Sequence, residues 1–356
     1  QGVGRHGMTT GGATTGKKEA LRRGSSESCW RTALVGLGFW VGCAALYITA
    51  RLELIELLLL FGPLAAVPGG LSMVLGRRGE ARLWGETVVV RLLLPAALCV
   101  IVSRALGPYL ASSLALGLEL SAVLTLPWFL VAALLALVGI QRMLRRGPFP
   151  IEETTIDVGL LYLPVGGGWL VMSSAGLEPM GFNSTIVLLT AVHFHFAGFS
   201  AALIAGLTGR ALRTRGPENK GAKRLALGAY RFAAPIVILG PPLVAVGIMA
   251  SPVVEVISGV ALSLGMLALA FVLVLIALTG GPLLPRLLLC AAALSLTATM
   301  ALSMTYAAGE YRGEELVSIA TMAATHGVVN VLGFTFCGGL GLILLLRETG
   351  DSGTEG

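Results

Sequence analysis

The chain is built from uncharged apolar runs of about twenty residues or more, the length a helix needs to cross the hydrocarbon core of a membrane. The run from Val256 to Thr279 carries no charged residue at all. At about 1.5 Å of rise per residue, twenty helical residues cover about 30 Å. Charged residues make up only 12% of the sequence, about half the share found in soluble domains. A membrane barrel would show alternation in segments of about ten residues instead of continuous Leu, Val and Ala. The expected fold is all-α, a polytopic transmembrane helical bundle of about ten spans. They fall at 32–50, 54–76, 87–106, 119–140, 155–176, 184–208, 226–249, 253–279, 284–306 and 317–346. The third and fourth are the least sharply bounded, because Arg104 and the stretch Gly-Pro-Tyr-Leu-Ala-Ser-Ser leave room for a re-entrant segment or an extra span.

The net charge of +6 follows topology and does not indicate nucleic acid. Basic residues cluster in the N-terminal segment (Lys17, Lys18, Arg22, Arg23, Arg31) and in every second loop. These loops carry Arg77, Arg78 and Arg82, then Arg142, Arg145 and Arg146, then Arg210, Arg213, Arg215, Lys220, Lys223 and Arg224. The alternate loops at 177–183 and 250–252 have no Lys or Arg, and the one at 307–316 has only Arg312. This is the positive-inside pattern; it predicts a plasma-membrane protein with both termini in the cytoplasm. Residues 1–30 read as a disordered basic tail, 31–347 as one transmembrane domain and 348–356 as a short cytoplasmic tail. No signal peptide is expected, and Met8 offers a start later than Gln1. The five cysteines are scattered without a C-x-x-C pair, which argues for neither a disulfide framework nor a zinc site.

Three of the four histidines lie inside apolar helices: His193 and His195 in the sixth span, His326 in the tenth. Ionisable groups in the hydrocarbon region are costly, so they point to function. His193 and His195 are about 200° apart on a helix and face opposite sides. His193 and His326 each lie about 9 residues, roughly 14 Å, from the outer boundary, and are expected to meet near the midplane. Thr190, one turn before His193, is expected to hydrogen-bond its ring and fix the tautomer. On the tenth span Glu315, Ser318, Met322, His326, Asn330 and Gly333 follow three- and four-residue steps along one face. The expected ion or solute pathway comprises His193, His195, His326, Asn330, Thr190, Thr325, Glu315 and Asp157. Asp157 and Glu56 each sit about a turn inside their boundaries. Glu53, Glu152, Glu153 and Glu255 read as interfacial or paired, and Tyr230 with Arg231 as an interface anchor. Pro164 with Gly166, Gly167 and Gly168, and Gly240-Pro241-Pro242, are expected to interrupt the fifth and seventh spans. The structural alternative is that the polar stripe is packing glue, with Gly327, Gly333, Gly338 and Gly341 allowing close approach.

The run from Thr190 to Gly198, Thr-Ala-Val-His-Phe-His-Phe-Ala-Gly, and Thr-His-Gly-x-x-Asn-x-x-Gly-Phe from Thr325 to Phe334 resemble the YndJ-like bacterial membrane family. The resemblance covers Glu152 to Gly341 well and the first spans weakly. It implies a transporter-like membrane protein and supplies no substrate. The His-Phe-His helix also resembles the histidine-bearing helix of haem–copper oxidase subunit I. Three intramembrane histidines cannot supply both the copper and the haem ligands of such an oxidase, which excludes that chemistry.

The expected partners are the lipid bilayer and a proton, metal ion or small solute, with no nucleic acid. The sequence requires no cofactor. The alternative is haem b or a transition metal on His326 and one histidine of the sixth span, with His193, His195 and His326 as the available ligands. A structural scaffold is the third reading. The sequence lacks a P-loop, a dinucleotide glycine fingerprint and H-E-x-x-H, so ATP-driven transport by this chain alone and zincin-type proteolysis lack their motifs.

Overall fold

A computed structural model describes the backbone of residues 10–75, 85–113 and 117–352. It forms a bundle of ten membrane-spanning helices. They are α1 (Thr10–Ile48), α2 (Leu54–Val74), α3 (Glu86–Ser113), α4 (Gly117–Arg146), α5 (Ile151–Ser174), α6 (Ser184–Arg215), α7 (Lys220–Ala250), α8 (Pro252–Ala277), α9 (Leu283–Arg312) and α10 (Ile319–Arg347). The loop with Arg77, Arg78 and Arg82 lies outside the described residues, as do the side chains of Lys17, Lys18, Arg22 and Arg23. Helix α1 extends back to Thr10, well ahead of its apolar segment Gly24–Ile48.

Local chemistry explains where the helices begin. Asn183 opens α6 by accepting the Ile186 N–H at 3.0 Å, and Asn219 opens α7 by accepting those of Gly221 and Ala222. Ser251 and Ser318 do the same for α8 and α10. At α2 the Glu56 carboxylate turns back to accept the Glu53 N–H at 2.9 Å. Each side-chain oxygen satisfies a donor that the first turn leaves without an intrahelical partner.

Helices α2 and α6 are the most enclosed and form the centre of the bundle. The same two helices, with α10, depart from α geometry. Wider π turns occupy Gly62–Ala66 in α2, Phe194–Ser200 in α6, and Ala323–Gly327 and Val329–Gly338 in α10. In α2 the cause is visible. Pro68 has no N–H for the Leu64 carbonyl four residues earlier, and that carbonyl points at Gly36 of α1, where an added Cβ would lie 1.8 Å from it. In α6 the Ser200 hydroxyl donates to the His195 carbonyl at 2.9 Å, supporting the widened turn.

The two helices expected to be interrupted are continuous. α5 runs unbroken through Pro164, and α7 through Pro235, Pro241 and Pro242. Their glycines are contact surfaces: a Cβ on Gly167 would meet the Phe129 backbone at 3.2 Å, and one on Gly240 would meet Leu262 at 2.5 Å. The residues at the doubtful third and fourth spans resolve into α3 and α4, with Arg104 paired inside the bundle. Tyr230 is buried against α6 and is no interface anchor.

Gly36→Ala sets a methyl against a backbone carbonyl that cannot rotate away. Overpacking of this kind costs about 1–3 kcal/mol, so the variant is expected to unfold at lower temperature in detergent than wild type; equal thermal stability contradicts the α1–α2 contact.

Candidate functional site

Two polar assemblies lie in the bundle, one toward each end of the spans. At the end where α4 stops and α5 starts, four guanidinium groups meet three carboxylates. Arg142 donates from Nε to Asp157 at 2.6 Å and from Nη2 to Glu153 at 2.7 Å. Arg146 reaches the other Asp157 oxygen at 2.9 Å. Arg210 grips both oxygens of Glu153, each at 2.7 Å, and Arg213 reaches Glu152 at 2.6 Å. All except Arg146 and Arg213 are buried.

The surplus cation has an electrostatic complement in helix α2. Its last carbonyls have no intrahelical N–H and carry the negative end of the helix dipole. Arg210 donates to the Met73 carbonyl at 2.7 Å and Arg142 to that of Val74 at 3.3 Å. Four helices, α2, α4, α5 and α6, are thereby tied at one end. Nearer the opposite end, Glu56 of α2 pairs with Arg104 of α3, whose Nη1 also reaches Ser174 of α5 at 3.4 Å.

The histidines occupy the other half of the bundle, and they divide into two kinds. His195 is fully buried. Its Nδ1 bonds the Ala191 carbonyl at 2.8 Å, and its Nε2 accepts the Trp128 indole N–H at 2.9 Å. A carbonyl only accepts and an indole only donates, so the ring is neutral with its proton on Nδ1 and both nitrogens are in use. The ring lies against Gly166 of α5, where a Cβ would approach Nδ1 to 2.7 Å, and against Gly62 of α2.

His193 and His326 each bond through Nδ1 alone, to the Leu189 carbonyl at 2.7 Å and the Thr299 carbonyl at 3.0 Å respectively. The same logic puts the proton on Nδ1 in both, so that each Nε2 presents a lone pair. The His193 side chain is exposed, and His326 is half-buried and close enough to interact with it electrostatically. Asn330 belongs to this assembly through Thr299 of α9, whose hydroxyl bonds Asn330 Oδ1 at 3.1 Å while its carbonyl holds His326.

The remaining expected site residues lie elsewhere. Thr190 donates to Ile186, and the Leu189 carbonyl holds His193 in its place. Thr325 donates to Thr321 in its own helix. Glu315 is exposed in the loop before α10 and takes no part in a helical stripe. Asp157 belongs to the arginine network, about 14 Å along α5 from the Gly166 contact with His195. Sequence reasoning missed Trp128 and Thr299, although a lone indole and a threonine in otherwise apolar spans are signals of polar pairing. Among the described residues no three histidine, cysteine or acidic side chains converge as a metal site.

The fold defines a ten-span helical membrane protein, in which His193 of α6 and His326 of α10 each bond a backbone carbonyl. The model of the YndJ-like protein family matches residues 57–334, more than three quarters of the chain, and the chain belongs to that family. It is also 35% identical over 211 residues to the uncharacterized membrane protein YndJ of Bacillus subtilis (strain 168), a stretch covering 58% of the chain. The match spans about a third of that relative's length, 35%. The protein is thus a multi-pass membrane protein with a bacterial relative. No solved structure matches the chain, so the local likeness to haem–copper oxidase has no support at the level of the fold.

Three substitutions test these assemblies. Arg142→Ala breaks two buried ion pairs, leaving Asp157 to Arg146 and Glu153 to Arg210, and is expected to cost about 3–5 kcal/mol, against about 0–1 kcal/mol for Arg31→Ala, whose pair with Glu27 is exposed; denaturant titration in detergent gives the order. His195→Ala leaves the Trp128 N–H without its acceptor, a loss of about 1–3 kcal/mol, read as a lowered melting temperature.

Proposed function

We propose that this protein is a transporter-like carrier in which His193 and His326 accept and release protons coupled to passage of a small solute. The observation that carries the reading is the shared tautomer: two imidazoles on neighbouring spans, each held by a backbone carbonyl through Nδ1, each with a free Nε2 lone pair. Histidine is the side chain whose ordinary titration range brackets neutral pH. Thr299 and Asn330 supply the adjoining polar wall.

The acidic rim supports the same reading. At the end of the bundle where α6 and α10 begin, Glu255 and Glu310 interact across α8 and α9, and Tyr306 bonds Glu310. Glu314 and Glu315 are exposed in the following loop. Such a rim raises the local concentration of cations, protons included. The positive-inside distribution assigns this rim to the outer face and both termini to the cytoplasm.

The test is proton movement into vesicles loaded with a pH-sensitive dye and driven by an imposed membrane potential. Wild-type protein is expected to carry protons above the protein-free rate. His326→Ala and His193→Ala should each lower that flux about tenfold or more, with Thr325→Ala unchanged as the control. Undiminished flux in both histidine variants overturns the reading. A visible haem band in wild type that vanishes in His326→Ala replaces it with a cofactor role.

A further inference from the structure

Helix α7 carries two faces with different chemistry. Ala226, Tyr230, Ala233, Val237 and Gly240 recur at three- and four-residue steps and are buried against the bundle. The opposite side of its first three turns forms an open recess of about 440 Å³ lined by Lys220, Lys223, Arg224, Leu227, Gly228 and Arg231. The four cations are exposed, and none forms a hydrogen bond or ion pair with any described residue. This distinguishes them from Arg142, Arg146, Arg210 and Arg213, which carboxylates hold. Gly228 leaves the floor open, with no atom within 4 Å of where its Cβ would stand.

The geometry points to a binding site for the phosphate headgroup of an anionic membrane lipid. Charge gives the ligand class: four unpaired cations at the positive end of a long helix select an anion. Continuity with the apolar surface gives the source. Arg224, Gly228, Phe232, Pro235, Leu239 and Leu243 follow four- and three-residue steps, so the charged recess opens directly onto an apolar stripe of the same helix. On that stripe Phe232, Leu239 and Leu243 are 50%, 55% and 51% exposed, as side chains facing acyl chains are. A phosphodiester that meets Lys220, Lys223 and Arg224 lays its acyl chains along Phe232 and Leu239, with Arg231 about 10 Å further along the helix than Arg224. A soluble phosphate uses the first half of this surface and leaves the second unused. The four cations stand at the end of the bundle that also bears the arginine network, where a headgroup and the spans' apolar belt meet.

The test uses the full chain, purified in mild detergent, stripped of lipid and titrated separately with phosphatidylglycerol, phosphatidylcholine and inorganic phosphate, with binding read by native mass spectrometry. Phosphatidylglycerol is expected to bind at least tenfold more tightly than phosphatidylcholine. The quadruple variant K220Q/K223Q/R224Q/R231Q should lose that preference by tenfold or more, while the charge-conserving R224K/R231K stays within threefold of wild type. Because all four side chains are exposed, the substitutions leave the buried face of α7 intact; should the quadruple variant fail to fold, Arg224→Gln alone must weaken phosphatidylglycerol measurably. Equal binding of the two lipids, or an unchanged quadruple variant, overturns the proposal. So does inorganic phosphate that binds as tightly as phosphatidylglycerol and displaces it, because the site is then one for a soluble anion.

Discussion

Hydrocarbon offers no hydrogen-bond partner, so a polar side chain carried into this bundle is costly unless another part of it answers the charge or the hydrogen bond. The arginine network shows the consequence most fully. Removing an ion from water costs several kcal/mol even after relaxation, and the attraction between partners offsets that only when the geometry is good and the remaining donors are satisfied. Both conditions hold around Glu153, whose two oxygens are gripped by Arg210 and one of them also by Arg142. The spare donors go to the end of α2, where the Met73 and Val74 carbonyls require partners of their own. One set of bonds thus neutralises buried charge, caps the central helix and fixes α4, α5 and α6 around it.

That fixed end leaves the remaining irregularity to the other half of the bundle. The π turns of α2, α6 and α10 fall beyond that end; His195 and His326 lie within those of α6 and α10, and His193 directly precedes that of α6. Widened turns of this kind recur at functional sites because they shift side chains off the regular helical register. Two histidines only two residues apart, and so on opposed faces of the helix, have opposite fates. His195 is wedged between Gly62, Gly166 and Trp128 with both nitrogens committed, while His193 bonds through Nδ1 alone and lies close to His326. A single short motif thus supplies one imidazole with both nitrogens bonded and one with a single nitrogen bonded.

Much of this was legible in the chain, and the losses have specific causes. The ten spans follow from apolar run length, a local property of the sequence. The opposed faces of His193 and His195 follow from helical geometry, but which of them would be buried does not, because Trp128 lies 67 residues away in another helix. The proline and glycine clusters of α5 and α7 suggest breaks when read locally. In the bundle the prolines are absorbed within continuous helices, and the glycines admit Phe129, His195 and Leu262. Arg142, Arg146, Arg210 and Arg213 were visible as loop charges, and only packing turned them into the partners of Glu152, Glu153 and Asp157.

By itself the sequence determined the membrane as solvent, the helix as the only spanning element and the number of crossings, because apolar length and charge spacing decide these without reference to any distant residue. The tertiary structure decided which polar groups meet: Glu56 with Arg104, Asn330 with Thr299, His195 with Trp128. Such pairings join residues separated by 48, 31 and 67 positions. They depend on which helices become neighbours and on the rotation of each about its axis, and both are set by side-chain packing over the whole bundle.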